Sequence, residues 1–240
     1  MRLLETTGCE IIVTKQCPFS NFKDNYVRLA KKLAINDPNG FYTDQFFNTV
    51  NYKTHFTETG PEIWNDLNGN VDAFVSSAGT GGSIGGISSF LKNKNKNVKV
   101  FLADVIGSGM DSFVKNKVMF TKEETEAMRK KYRYYSVIEG IGINFVTDNF
   151  IQAVIDNSFK ISDEEAIFMA NYVYEKDGLF IGGSSAVNLC AVIKACKEIG
   201  RGKNIVTLLF DSGLKYTSKL FNKEILNNIQ IKSIEEILNN

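Results

Sequence analysis

Val71-Asp-Ala-Phe-Val-Ser-Ser-Ala-Gly79-Thr80-Gly81-Gly82-Ser83-Ile-Gly-Gly86 is the stretch that decides the fold. An apolar run of strand character enters a glycine loop, and the loop passes into a helical pattern. Successive glycines let backbone N–H groups converge without Cβ obstruction, and the positive end of the following helix falls on the same spot. The segment therefore predicts a seat for a compact anion, with the hydroxyls of Thr80 and Ser83 beside the loop amides. A dinucleotide-binding reading competes, because Asp104 ends the next expected strand, but the third glycine of that fingerprint falls on Ile84.

Working outward, the order is strand, helix, strand, helix. Tyr26, Val27, Leu29, Ala30, Leu33 and Ala34 recur at helical spacing up to the Asn36-Asp37-Pro38-Asn39-Gly40 break. The chain opens as the last turn of a helix, a stop at Gly8 and a strand over Ile11–Thr14. Phe41–Gln45 reads as a short strand, Gly60-Pro61 opens a helix, and strands are expected at Val71–Ser77, Val98–Asp104 and Asn204–Phe210. Thr121-Lys-Glu-Glu124 and Ser162-Asp-Glu-Glu165 fit the capping box, and the second helix should end near Gly178. Ser184–Lys197 reads as a helix burying Val187, Cys190, Ala191 and Ala195, and the Asn222–Asn240 tail as an amphipathic surface helix. Such alternation predicts an α/β fold, a parallel sheet with helices on both faces and ligands beyond the carboxyl ends of the strands. Candidate loops there are Gly79–Ser83, Gly183–Ser185 and Asp211–Gly213, with a further glycine loop at Glu139–Gly142.

Composition narrows the function. With 240 residues, 43% hydrophobic and 23% charged, the chain can bury a full core. A net charge of +1 and no basic-aromatic stripe argue against nucleic acid, and the Asn93–Asn97 run reads as a solvated turn. Cys9, Cys17, Cys190 and Cys196 lack CxxC spacing and His55 is the lone histidine, so no metal site is expected. The thiols are read as reduced and mostly buried, in a cytosol-like compartment, and His55 as a surface or helix-capping residue. No apolar run approaches the ~20 residues that span a bilayer. Gly183-Ser184-Ser185-Ala186 is not a nucleophile elbow.

Asp44-Gln45-Phe46, Gly60-Pro-Glu-Ile-Trp64, Gly79–Ser83, Glu139-Gly140-Ile-Gly142, Gly178–Asn188 and Asp211-Ser-Gly213 occur in the order found in cysteine synthases, and the chain resembles that family from about Leu3 to about Phe221. Its details lean toward the fungal cysteine-synthase-like branch. The resemblance implies pyridoxal phosphate as cofactor and the tryptophan-synthase-β-like fold (fold type II), with residues 1–48 a remnant of the smaller mobile domain and 49–240 the larger cofactor-phosphate domain. It implies that Gly79, Thr80, Gly81, Gly82 and Ser83 hold the phosphate and that Ser184 faces the pyridine nitrogen. It further implies that Gln45 contacts the substrate carboxylate, that Gly140 lines the substrate entrance, and that Asp211 and Ser212 support the pyridine end. A neutral hydroxyl at the ring nitrogen favours β-elimination and replacement over transamination. The reaction implied is sulfide replacing the leaving group of an O-activated serine to give cysteine, in a homodimer acting on a small amino-acid substrate, cytoplasmic or mitochondrial.

The departures carry equal weight. The family's Schiff-base lysine, and its asparagine and Ser/Thr loop, match positions upstream of Met1, so the front of the fold and the catalytic lysine are expected to be missing. Lys23, in Ser20-Asn-Phe-Lys23, precedes a stretch that matches a later helix and is rejected as that lysine. Asp104-Val105 stands where the family more often has Glu-Pro, a change read as tolerated. On this reading the chain as written is inactive. The alternatives are a catalytically dead partner or relic that keeps the fold, and an NAD-binding module.

Overall fold

The computed structural model describes residues 2–14, 25–119, 136–143, 145–231 and 233–239. The chain divides into two compact units, Met1–Asp44 and Gln45–Asn240. The first holds α1 (Arg2–Glu5) and α2 (Tyr26–Asn36). Asn25 caps α2, its side-chain oxygen accepting from the Val27 N–H at 2.9 Å. Gly8 supplies the left-handed stop after α1, at φ 77°. The strands expected at Ile11–Thr14 and Phe41–Gln45 do not form: among the described residues neither segment joins a sheet, and Asp44 sits at φ 49°, which breaks an extended run.

The second unit runs α3 (Val50–Thr54), a π-helical turn (His55–Thr59), α4 (Gly60–Asp66), β1 (Ala73–Ser77), α5 (Gly82–Lys94), β2 (Lys99–Val105) and α6 (Met110–Asn116). It continues with β3 (Asn157–Ile161), α7 (Asp163–Asp177), α8 (Gly183–Ile199), β4 (Ile205–Thr207), α9 (Lys223–Asn228) and α10 (Ile234–Asn239). The sheet order is β3-β2-β1-β4 and every pairing is parallel. Both faces are covered, as the alternation predicts. Ala73, Val75, Phe101 and Ala103 pack with Val187, Cys190 and Ala191 of α8, while Phe74, Val100 and Leu102 pack with Ile84, Ile87 and Leu91 of α5.

The Ser162 capping box forms in full, and α7 stops at Gly178, at φ 70°. The Thr121 box lies outside the described residues, as do Cys17 and Lys23. β3 escapes the sequence reading, and β4 is shorter and less buried than its expected Asn204–Phe210 span, because among the described residues it stands at the end of the sheet and pairs only with β1. The tail is not a surface helix: it forms two short helices and drives Ile231 and Ile237 into the α8 core. Of the described cysteines only Cys190 is buried, and Cys9 and Cys196 are exposed, so the expectation of mostly buried thiols fails. Among the described residues no helix is long and apolar enough to cross a membrane.

Candidate active site

Parallel strands leave a crevice beyond their carboxyl ends, and here it is a cleft of about 530 Å³. Its walls come from three stretches far apart in sequence. The first is the end of β1 and the loop Ser77 to Ile84, the second Glu139, Gly140 and Ile141, and the third Ser184 with Phe210, Asp211, Lys215 and Tyr216.

The loop is shaped as an anion cup. Gly81 stands at φ 85°, and a Cβ on it would lie 2.5 Å from the Phe150 Cβ. A Cβ on Gly79 would collide with the Gly140 carbonyl, so the first and second walls meet only because glycine stands there. The Gly142 N–H donates to the Ala78 carbonyl at 3.2 Å and closes that seam. α5 starts at the cup, so its first-turn N–H groups, which have no partner within the helix, face the same place.

Side chains brace the loop from outside. Asn51 Nδ2 donates to Thr80 Oγ1 at 2.9 Å, and Thr147 Oγ1 donates to the Thr80 carbonyl at 2.6 Å. Ser83 Oγ is 3.2 Å from His55 Nε2, and His55 Nδ1 is 3.0 Å from Thr59 Oγ1. His55 is thus not a surface histidine: it sits half-buried behind the cup at the C-cap of α3, its N–H donating to the Tyr52 carbonyl. Burial lowers its pKa, against a smaller upward pull from Glu58, which favours the neutral ring. α3 and the π-helical turn reach α5 this closely because Gly86 leaves room for the Tyr52 carbonyl, the His55 Cβ and the Phe56 nitrogen. Asn51 and His55 are contacts that the sequence reading missed. The signal was the Gly85-Gly86 pair inside a helix, where glycine weakens the helix unless another backbone comes close.

The opposite wall is set by α8. Ser184 lines the cleft at the first turn, while Ser185 Oγ accepts from the Phe210 N–H at 2.8 Å. Asn188, fully buried, accepts from the Ser77 N–H at 2.7 Å and donates to the Leu208 carbonyl at 2.8 Å, tying α8 to β1 and to the segment after β4. Asp211 Oδ2 accepts from Tyr216 at 2.9 Å and Lys215 at 3.3 Å, whereas its Oδ1 is buried with no partner among the described residues. Burial, then Asp211, pushes the Tyr216 hydroxyl up to about 12, so it remains a donor. Glu139 at the mouth forms an ion pair with Lys219.

Gly79, Thr80, Gly81, Gly82, Ser83, Gly140, Ser184 and Asp211 therefore share one cleft. Ser212 and Gln45 lie outside its lining. Ser212 Oγ accepts from the Leu214 N–H at 3.3 Å, and exposed Gln45 uses its carbonyl to accept from Asn51 and Asn149. The donor set suits a phosphorylated heteroaromatic group: an amide cup that a Cβ would fill, and neutral hydroxyls with an orphaned carboxylate oxygen at the other wall.

Comparison with known proteins agrees. A family model described as pyridoxal-phosphate dependent enzyme matches residues 1–211. Cysteine synthase 2 of Schizosaccharomyces pombe is 40% identical over 233 residues, covering 93% of this chain and 59% of its own length. Cysteine synthase of Dictyostelium discoideum is 40% identical over 239 residues, 98% of this chain and 62% of its own. O-acetylserine sulfhydrylase isoform 3 of Entamoeba histolytica superposes with a TM-score of 0.76 at 28% identity, covering 99% of this chain and 64% of that one. The chain thus spans about three fifths of the relatives it matches.

Proposed function

The chain belongs to the pyridoxal-phosphate dependent enzyme family, and from that membership we propose that the cleft binds pyridoxal 5′-phosphate and serves the β-replacement of cysteine synthases, sulfide displacing the leaving group of an O-activated serine. The observation that carries this is the amide cup at Gly79–Ser83, closed against Gly140 by a contact that no side chain permits. When bound, the cofactor supplies an electron sink for the α-carbon of an amino acid.

The residues around it divide the remaining work. Gly79 to Ser83 and the start of α5 bind the phosphate, with Thr80 and Ser83 adding hydroxyl donors. Ser184 gives the ring nitrogen a neutral hydrogen bond and no counter-charge, which keeps the ring a mild electron sink. Gly140 and its loop form the substrate entrance, Gln45 takes the substrate carboxylate, and Asp211 with Ser212 braces the ring end. Residues 1–48 belong in this reading to the smaller, mobile domain and 49–240 to the cofactor domain. The same reading makes the protein a homodimer of the cytoplasm or mitochondrion; a Saccharomyces cerevisiae protein named as a mitochondrial cysteine synthase is 40% identical over 252 residues.

Titration with pyridoxal 5′-phosphate and with pyridoxal tests the seat. Retention of the phosphorylated form, with pyridoxal at least ~10-fold weaker, is expected from a phosphate-anchored cofactor. Equal affinity would remove the phosphate seat. Cysteine formation from O-acetylserine and sulfide, by the polypeptide at the length its source cell makes, tests the reaction. Binding without turnover would instead support a partner that keeps the cofactor fold.

A further inference from the structure

Ser77, the last residue of β1, is 3% exposed, and its hydroxyl has no hydrogen-bond partner among the described residues. Nearby serines in equally buried positions are satisfied: Ser76 Oγ donates to the Ser77 carbonyl at 3.0 Å, and Ser158 Oγ donates to Asp111 at 2.6 Å. Looseness does not explain the orphan, since the Ser77 N–H is held by Asn188 at 2.7 Å. Buried hydroxyls are rarely left unpaired, because the desolvation penalty is then uncompensated.

Strand alternation fixes the direction. Ala73 and Val75 pack on the α8 side, Phe74 on the α5 side, so Ser77 continues the α8 face. That places its side chain toward the wall that carries Ser184, away from the start of α5. Both serines line the cleft.

We propose that Ser77 is a ligand-binding residue, its hydroxyl donating to a hydrogen-bond acceptor on the heteroaromatic ring of the bound cofactor, beside Ser184. The inference rests on the pyridoxal-phosphate reading and adds a contact to it. The unpaired hydroxyl is then the cost of a preformed site, relieved when the ring arrives.

Two measurements on Ser77→Ala test this. The first is urea unfolding of the ligand-free chain. If the hydroxyl is unpaired there, its deletion leaves stability unchanged or raises it. The second is equilibrium dialysis with pyridoxine 5′-phosphate, which lacks the aldehyde and cannot react with lysines. Its affinity should fall roughly 5- to 20-fold in the variant, in line with the loss of one ligand hydrogen bond, and Ser77→Thr, which keeps a hydroxyl, should recover most of it. A variant that binds pyridoxine 5′-phosphate like the wild type overturns the inference and leaves the cofactor reading standing. A less stable ligand-free variant also overturns it, by giving the hydroxyl a structural partner. A wild-type chain that binds neither pyridoxine 5′-phosphate nor pyridoxal 5′-phosphate overturns both.

Discussion

Asp104 at the end of β2 gives this fold a measurable stability slope in acid. Its side chain is 2% exposed, and burial raises its pKa from 3.8 to about 6. The Asp111 N–H at 2.8 Å, the Ser108 hydroxyl and the charge of Lys160 oppose the shift without cancelling it. A carboxyl raised on folding binds more protons in the native state than in the unfolded chain, between the two pKa values. Its contribution is therefore complete below about 3.8 and is lost as pH rises through about 6. The gap corresponds to about 3 kcal/mol, at roughly 1.4 kcal/mol per pH unit. Asp104→Asn removes the ionisation and keeps an oxygen to accept from the Asp111 N–H. Urea unfolding of both proteins, followed by the fluorescence of the lone Trp64 at intervals from pH 4 to pH 7, isolates the effect, since all other titrations cancel in the difference. The variant should gain on the wild type by up to about 3 kcal/mol across that range. Parallel stability curves, or a gain toward acid, would refute the reasoning.

Further outcomes follow from contacts around the cup and α8. Asn188→Leu leaves the Ser77 N–H buried and unpaired and removes the partner of the part-buried Leu208 carbonyl, and should destabilise by at least ~1–3 kcal/mol in urea unfolding, the penalty of the one buried group. Gly79→Ala forces the cup away from the Gly140 carbonyl and should weaken pyridoxal 5′-phosphate by at least ~10-fold in dialysis, since a small misplacement of a cup is costly. His55→Phe keeps the ring volume and removes the bond to Ser83, so the same dialysis should show weaker binding, while His55→Gln, which retains a donor, should recover it. Because burial lowers the His55 pKa, its stability contribution is present above about 6.5 and is lost as pH falls below that value. The loss should be smaller in His55→Phe, as thermal unfolding between pH 7 and pH 5 would show.

The parts of this molecule that were legible in sequence are those where a local rule admits one residue type. The glycine cup is one, since converging amides exclude a Cβ at Gly79 and Gly81. The Ser162–Glu165 box is another, because both of its bonds are local, at 3.1 and 2.6 Å. β3 was not legible: Asn157-Ser-Phe-Lys-Ile161 alternates weakly and is held by one neighbour, β2. Phe41–Gln45 shows the reverse failure, aromatic content suggesting a strand where the backbone turns at Asp44, at φ 49°. The tail pattern of Ile231, Ile234 and Ile237 was visible, but only packing decides which of these faces the core. The π-helical turn has no sequence period to betray it, so the sequence allows a helix-capping role for His55 but does not reveal its contact with Ser83. Of the six carried-over motifs, the four around Gly79, Gly140, Ser184 and Asp211 each supply residues to the cleft lining. Strand-helix alternation places three of these loops at strand ends, and the family resemblance adds the Gly140 loop to the same site and gives each residue a role.

The site also shows how one loop is held firm chiefly through side chains and a carbonyl, its Gly82 N–H reaching only the Thr80 hydroxyl of the same loop at 3.4 Å. A cup bound through its own N–H groups to the rest of the protein would have nothing left for a ligand. Here the fastening passes through other atoms: the Thr80 hydroxyl to Asn51, the Thr80 carbonyl to Thr147 and the Ser83 hydroxyl to His55. Asn51 is itself held by the Gln45 carbonyl at 3.0 Å, and Thr147 accepts from the Phe150 N–H at 2.9 Å, so each brace is anchored outside the loop. Preorganisation of this kind spares the ligand the entropy of ordering the loop on arrival. It also explains why the braces lie on α3, the π-helical turn and the segment before Phe150: only elements packed outside α5 reach the loop without occupying the face that α5 presents to the cleft.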